Sequence, residues 1–339
     1  MTAPARGKKG QRMKVVVAGG AGYIGSHAVV RLMEGGHSPV VFDNLSEGHA
    51  GAVRGCELVR VDLADEEAVG AALKAARADA VMHFAASAYV GESVQNPEKY
   101  YFNNVVNTLK LLRAMRQIGI ARFVFSSSCT IYGIPQRVPI VEDLPMHPIS
   151  PYGRTKAAVE QIMADFAAAY GLRYASLRYF NAAGAMPDGS LGEDHDPETH
   201  LIPSVIQAAM GKRGPLTVFG TDYPTPDGTC VRDYVHVLDL GSAHVLALEA
   251  LDERPVQIYN LSTGCGHSVR EVISAVEEIG GLKVLLEEGE RRPGDPPALV
   301  GSHGKIRAAL GWEPEFPALH QIVETAWRWH KGHPDGYAG

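Results

Sequence analysis

Residues 13–36 read MKVVVAGGAGYIGSHAVVRLMEGG, and this stretch decides the fold. Residues 13–18 are a short, nearly continuous apolar run closed by glycines, the pattern of a strand buried on both faces of a parallel sheet. A helical pattern then runs to Leu32 and stops at Gly35-Gly36, a C-terminal glycine signal. Between them, Gly19-Gly20-Ala21-Gly22-Tyr23-Ile24-Gly25 satisfies GxGxxG from Gly20. Glycine is needed where backbone turns sharply and approaches a pyrophosphate. The helix that follows offers free N–H groups and the positive end of its dipole. The motif alone is weak evidence; the strand–turn–helix setting gives it weight.

Working outward, strands are expected at 39–42, 57–61, 80–84, 122–125 and 172–177. Helices are expected between them at 65–77, 97–118 and 151–170. This alternation predicts an α/β fold, a Rossmann-type doubly wound parallel sheet with right-handed crossovers. Further helices at 201–212, 237–251, 269–278 and 318–330 lie in a region rich in Pro and Gly, expected to form a smaller C-terminal α/β domain that binds substrate. The expected boundaries are a disordered basic tail at 1–12, a nucleotide-binding domain at 13–180 with 237–261 returning to it, and a substrate domain at 181–236 and 262–339.

The 339 residues carry 32 Lys+Arg against 38 Asp+Glu, a formal net charge of −6, which argues against nucleic-acid and polybasic membrane contacts. No apolar run is long enough for a membrane span. Cys56, Cys129, Cys230 and Cys265 are scattered without a CxxC pair, so a reducing, cytoplasmic setting is expected.

Asp43 ends the second expected strand. A carboxylate there accepts both ribose hydroxyls of an adenosine and repels a 2′-phosphate, so NAD is the expected cofactor. Asp62, after the third strand, is placed either at the adenine amine or in a helix-capping turn with Asp65. Tyr152 and Lys156 stand one turn apart on one helix face. A phenol with a pKa of about 10 is a poor base at neutral pH, and a nearby ammonium and a nicotinium ring both favour its phenolate. Tyr152 is then the expected acid–base group, with Ser128, from Ser126-Ser127-Ser128 at the strand's carboxyl end, bonding the substrate oxygen.

The turn GGAGYIGSH, SSSCTIYG around Ser128, YGRTK at 152–156 and RYFNAAGA at 178–185 resemble the extended short-chain dehydrogenase/reductase family. HFAASAYVGES, HLIP at 200–203 and FGTDYPTPDGTCVRDYVHV at 219–237 narrow the resemblance to that family's UDP-glucose (UDP-galactose) 4-epimerases. It covers nearly the whole chain. It implies a bound NAD that takes a hydride from sugar C4 and returns it to the other face after the 4-keto sugar has rotated. Implied cofactor contacts are Gly19, Gly22, Tyr23, Ile24, Gly25, Asp43, Asn44, Leu45, Ser46, Gly48, Asp62, Leu63, Phe84, Ala85, Ala86, Asn103, Tyr152, Lys156 and Phe180. Ser128 and Tyr152 are also expected to contact substrate. Asn181 and His200 belong to the implied substrate site, Arg232 and Arg292 to a diphosphate clamp. Leu201, Thr217, Phe219 and Tyr234 are implied at the uridine, though the aromatics equally suit a core. Asp295 is implied at the uridine ribose. Leu299 stands where some members carry a bulky Tyr, which implies a pocket open to UDP-GlcNAc and UDP-GalNAc as well.

Helices 97–118 and 151–170 are implied to pair two subunits into a homodimer. The segment Glu193-Asp194-His195-Asp196, with Glu198 and His200, holds metal-ligand residue types. It matches a substrate loop of the family, and no metal is expected. Another nucleotide-sugar 4-epimerase, for UDP-glucuronate for example, and a non-catalytic nucleotide-binding regulator are the alternatives. A 4,6-dehydratase is disfavoured, because Cys129-Thr130 stand where its acidic pair would be.

Overall fold

The computed structural model describes residues 12–292 and 294–337. The basic stretch 1–11 lies outside the described residues. Arg12, counted in the expected tail, donates guanidinium N–H groups to the Ser38 hydroxyl. The strands are β1 Lys14–Ala18, β2 Ser38–Asp43, β3 Glu57–Arg60, β4 Ala80–His83, β5 Arg122–Ser128, β6 Arg173–Tyr179, β7 Asn181–Ala183, β8 Leu216–Phe219, β9 Val231–His236, β10 Val256–Leu261, β11 Gly266–Ser268, β12 Leu286–Gly289 and β13 Ala298–Leu299. The helices are α1 Tyr23–Glu34, α2 Glu66–Ala76, α3 Val90–Gln95, α4 Pro97–Tyr100, α5 Asn107–Ile118, α6 Pro151–Tyr170, α7 Leu201–Ala209, α8 Val237–Glu249, α9 Val269–Gly280, α10 Gly304–Leu310 and α11 Leu319–Gly332.

Seven strands form one sheet in the order β3-β2-β1-β4-β5-β6-β10, with every neighbouring pair parallel. Alternate residues of each strand feed opposite faces. Val15, Val17, Val41 and Met82 pack with Val29, Leu32, Leu240 and Leu248 of α1 and α8. Val16, Phe42, Val81 and Phe123 pack with Leu73, Leu111, Met115 and Val159 of α2, α5 and α6. Covering both faces makes the strands read as apolar runs. Chain order reverses between β1 and β4, where open α/β sheets receive ligands. Strands β7, β9, β11 and β13 form a second sheet, and β8 pairs with β12. A separate core beside them is built from Ile202, Val205, Ile206, Val218, Val272, Val276, Ile322 and Val323.

The expected long helix at 97–118 is helical throughout but changes its winding inside. It is α4, a π-helical segment Tyr101–Val106, and α5; a widened turn of this kind is a local insertion that apolar periodicity does not reveal. Asp65, expected inside a helix, caps α2 by accepting from Ala68 N–H. Helix α6 spans the expected residues, with Ser150 at its cap, Pro151 at its first turn and Gly171 in the left-handed conformation at its end. Among the described residues no helix is long and apolar enough to cross a membrane.

Candidate active site

The turn from β1 into α1 sits at the point of chain reversal. Gly19 has φ +80°, and a Cβ there would strike Ala85 beyond β4. A Cβ on Gly25 would strike the Gly19 carbonyl oxygen. Both positions therefore admit glycine alone. Gly22 caps α1 with no side chain over its N-terminus and no acidic residue in its first turn. The opening amides are left to a ligand, and anionic groups favour that end. Asp43 ends β2 beside this turn and accepts from Ala21 N–H at 3.0 Å and Leu45 N–H at 2.9 Å. These amides fix its carboxylate at the rim of the turn, with further lone pairs for hydroxyl donors. An uncapped helix end, glycines that only glycine can fill, and a carboxylate fixed alongside fit a dinucleotide.

Other expected cofactor contacts are placed less uniformly. Leu45 has φ +60° and carries the chain around after Asp43, with Asn44 accepting from Ser46 N–H. Asp62 accepts from Ala64 N–H and Asn44 Nδ2, which hold its carboxyl below the usual range. Its side chain thus serves the turn that was the alternative to adenine contact. Leu63, half-buried, packs on the α2–α5 side of the sheet. Tyr23 donates its hydroxyl to the Gly184 carbonyl at 2.6 Å, so only its backbone is left for the turn. Gly48 lies against Ala21. Phe84, Ala85 and Ala86 follow β4, and Ala85 N–H reaches back to the Ala18 carbonyl. Asn103 lies on the π-helical segment and donates to the Ser87 hydroxyl. Phe180 is buried with Ile131, Tyr132 and Ile140.

Strand β5 delivers Ser128, and the first turns of α6 deliver Tyr152 and Lys156. All three are buried. Lys156 Nζ stands 5.7 Å from the centre of the Tyr152 ring and donates to the Ser126 carbonyl at 2.8 Å. Burial pushes the Lys156 ammonium down to about 7, with Glu160 pulling the other way. Burial likewise pushes the Tyr152 phenol well above the usual tyrosine range; Tyr179 adds to this, and the Ser128 hydroxyl opposes it. The expected phenolate rests on a cationic nicotinamide ring as well as on the lysine; in the protein alone desolvation dominates. Ser128 Oγ accepts from Thr130 N–H and Oγ1–H at 3.2 and 3.0 Å, leaving its own proton free to be aimed.

Glu160 is a residue the sequence reasoning missed. It accepts from Ser127 and Ser176 hydroxyls at 2.6 and 2.7 Å and pairs with Arg178 at 2.6 Å, with both charged side chains about 95% buried. Its signal was present: Tyr152, Lys156 and Glu160 recur every fourth residue on one face of α6.

The expected substrate groups gather around β7, β9 and β13. Asn181 Nδ2 donates to the Asp233 carbonyl. The Asp233 carboxylate, buried and also missed, accepts from Thr263, Gly264 and Gly301, and burial pushes it up to about 6. Arg232 ion-pairs with Asp295, which brings the groups expected at the diphosphate and at the ribose into contact. Arg292 lies 4.2 Å over the Phe219 ring. Thr217 and Phe219 lie on β8 at its exposed edge. Leu299 of β13 pairs in register with Arg232 and is half-buried beside the Phe180 cluster. Tyr234 is packed in the second core with Ala183 and Val272, the core alternative that the sequence left open for it. Leu201 borders that same core. His200, expected at the substrate, turns its ring to Glu193 and Glu198, at 2.8 and 3.1 Å.

A family model described as the NAD dependent epimerase/dehydratase family matches residues 15–262. A UDP-glucose 4-epimerase of Halalkalibacterium halodurans is 47% identical over 327 residues, covering 96% of this chain and 98% of that one. The solved structure of UDP-glucose 4-epimerase from Brucella ovis in complex with NAD is 50% identical with a TM-score of 0.91, covering 93% of this chain and 97% of that one. The UDP-Glc/GlcNAc 4-epimerase of Campylobacter jejuni is 41% identical with a TM-score of 0.83, covering 94% and 99%. The match runs over nearly the whole length of these relatives, and the chain belongs to the NAD dependent epimerase/dehydratase family.

Proposed function

We propose that this chain is a UDP-hexose 4-epimerase that interconverts UDP-galactose and UDP-glucose. The observation that carries the reading is the buried group of Ser128, Tyr152 and Lys156 at the carboxyl edge of a dinucleotide-type sheet. The relatives named above support the substrate. NAD, held by the Gly19–Gly25 turn, Asp43 and Lys156, supplies reversible hydride chemistry at the sugar carbon when bound. The chain's own part is proton handling and orientation. The Tyr152 phenol oxygen exchanges the proton of the sugar 4-hydroxyl, and Ser128 hydrogen-bonds the same oxygen. Burial of Lys156 keeps the region dry, so any charge there acts at short range in low dielectric. Arg232 and Arg292 supply planar cations on the diphosphate side. The free thiols Cys56, Cys129, Cys230 and Cys265 suit the reducing cytoplasm.

The test is to incubate purified protein with UDP-galactose, without added NAD, and measure UDP-glucose. Conversion is expected, with Tyr152→Phe slower by about 10²–10⁴-fold. Absence of conversion with any UDP-hexose overturns the proposal. Leu299, standing where some family members carry a bulky Tyr, and the Campylobacter relative named for both sugar types favour the wider specificity. UDP-GlcNAc turnover within about a hundredfold of the UDP-glucose rate is expected, falling at least about tenfold further in Leu299→Tyr. Exposed Tyr101 and Phe102 beside α5 support a homodimer on that helix face, and a sedimentation mass of one chain overturns it.

A further inference from the structure

The loop from β7 to α7 gathers Glu193, His195, Glu198 and His200, which play no part in the proposed proton and hydride chemistry. Each offers one ligand atom, and the atoms lie within 4.8 Å of one another. His200 Nδ1 is 2.8 Å from Glu193 Oε1 and 3.1 Å from Glu198 Oε1. His195 Nδ1 is 3.1 Å from Glu193 Oε1 and 3.8 Å from Glu198 Oε2. Four donors placed about 2.0–2.1 Å from a tetrahedral ion stand roughly 3.3 Å apart, and the two imidazole nitrogens stand 2.8 and 3.1 Å from the same Glu193 oxygen.

A second observation points to a missing ligand. The Glu198 side chain is only 4% exposed, yet its Oε2 has no hydrogen-bond partner among the described residues. A buried carboxylate oxygen left bare is unfavourable. Glu193, His195 and Glu198 line a cavity of about 100 Å³, and on its far side His330 Nε2 is also buried without a partner.

We propose that Glu193, His195, Glu198 and His200 form a binding site for a divalent cation of the zinc class. Two imidazoles with two carboxylates suit zinc, whereas magnesium and calcium take oxygen ligands. All four positions come from the chain, so the site is closed and structural, with no open position for substrate. The ion ties the 193–200 loop to its surroundings. His195 stands edge-on to Tyr23 at 6.3 Å and Tyr89 at 6.1 Å, and His49 reaches the Asp194 carbonyl at 3.0 Å. The loop is thereby held against the start of α1. The inference does not depend on the epimerase reading.

The test uses the full chain stripped with a chelator. Calorimetric titration with Zn²⁺ is expected to give one equivalent, and Co²⁺ the intense visible bands of a tetrahedral site. Zinc is expected to raise Tm by roughly 2–4 °C, and magnesium to leave it unchanged. Glu198→Gln and His195→Gln each weaken zinc binding about 10–100-fold. Absence of stoichiometric zinc binding to the wild-type chain, an octahedral cobalt spectrum, or unaltered affinity in both variants overturns the proposal. The cobalt spectrum of the wild-type chain decides even if the variants fail to fold.

Discussion

Lys156 illustrates how burial sets chemistry at the level of one side chain. Desolvation brings its pKa to about 7 in the folded chain, against 10.5 for an unburied lysine. Between these values the unfolded chain binds the extra proton, so stability rises with pH across that window and is lowest below about 7. Cofactor-free protein is therefore expected to gain stability between pH 7 and 9. Lys156→Met is expected to flatten that slope, as read by urea midpoints. An identical slope in the variant would assign it elsewhere. The same desolvation raises Tyr152, so the tyrosine and lysine are tuned in opposite directions on one helix face. The YxxxK spacing was legible in the sequence. The sign of the tyrosine shift was not, because it depends on what packs around the ring.

Helix α6 shows what local chemistry contributes at the level of an element. Ser150 Oγ accepts from Gly153 N–H at 3.1 Å, and this buried cap fixes the turn that carries Tyr152. Ser150→Ala is expected to destabilise the protein by about 1 kcal/mol, measured as a lower urea midpoint at unchanged m-value. Capping residues, proline and terminal glycine announced this helix in the sequence. The 97–118 region had comparable signals and is helical throughout, yet its winding widens in the π-helical segment carrying Asn103. Apolar periodicity is nearly the same on either side of a one-residue insertion, so only the three-dimensional path of the chain reveals it.

For the whole molecule, the main sheet is closed at one edge by β10, whose residues lie far downstream of β6. Strand β10 and helix α8 supply Leu240, Leu248, Tyr259 and Leu261 to the core that covers β1 and β5. Each such side chain contributes roughly 1.5–3 kcal/mol through burial. A fragment of residues 12–180 is thus expected to lack a cooperative thermal transition and to bind hydrophobic dyes, whereas a chain running to 262 retains the first core apart from Ile306 and Trp312. A sharp calorimetric transition in the shorter fragment would refute this.

The alternating sheet, the glycine turn, Asp43, Ser128, Tyr152 and Lys156 were readable from residue order, because periodicity, caps and glycine requirements are local properties of the chain. Residues that meet across long separations were not readable. Glu160 with Arg178, Arg232 with Asp295, and Asp233 with Gly301 acquire their charge state and partners from burial and proximity. Tyr234 was undecided between pocket and core until packing placed it in the core. Desolvation and pairing act between groups brought together by the fold, so their outcome belongs to the folded chain and not to the order of its residues.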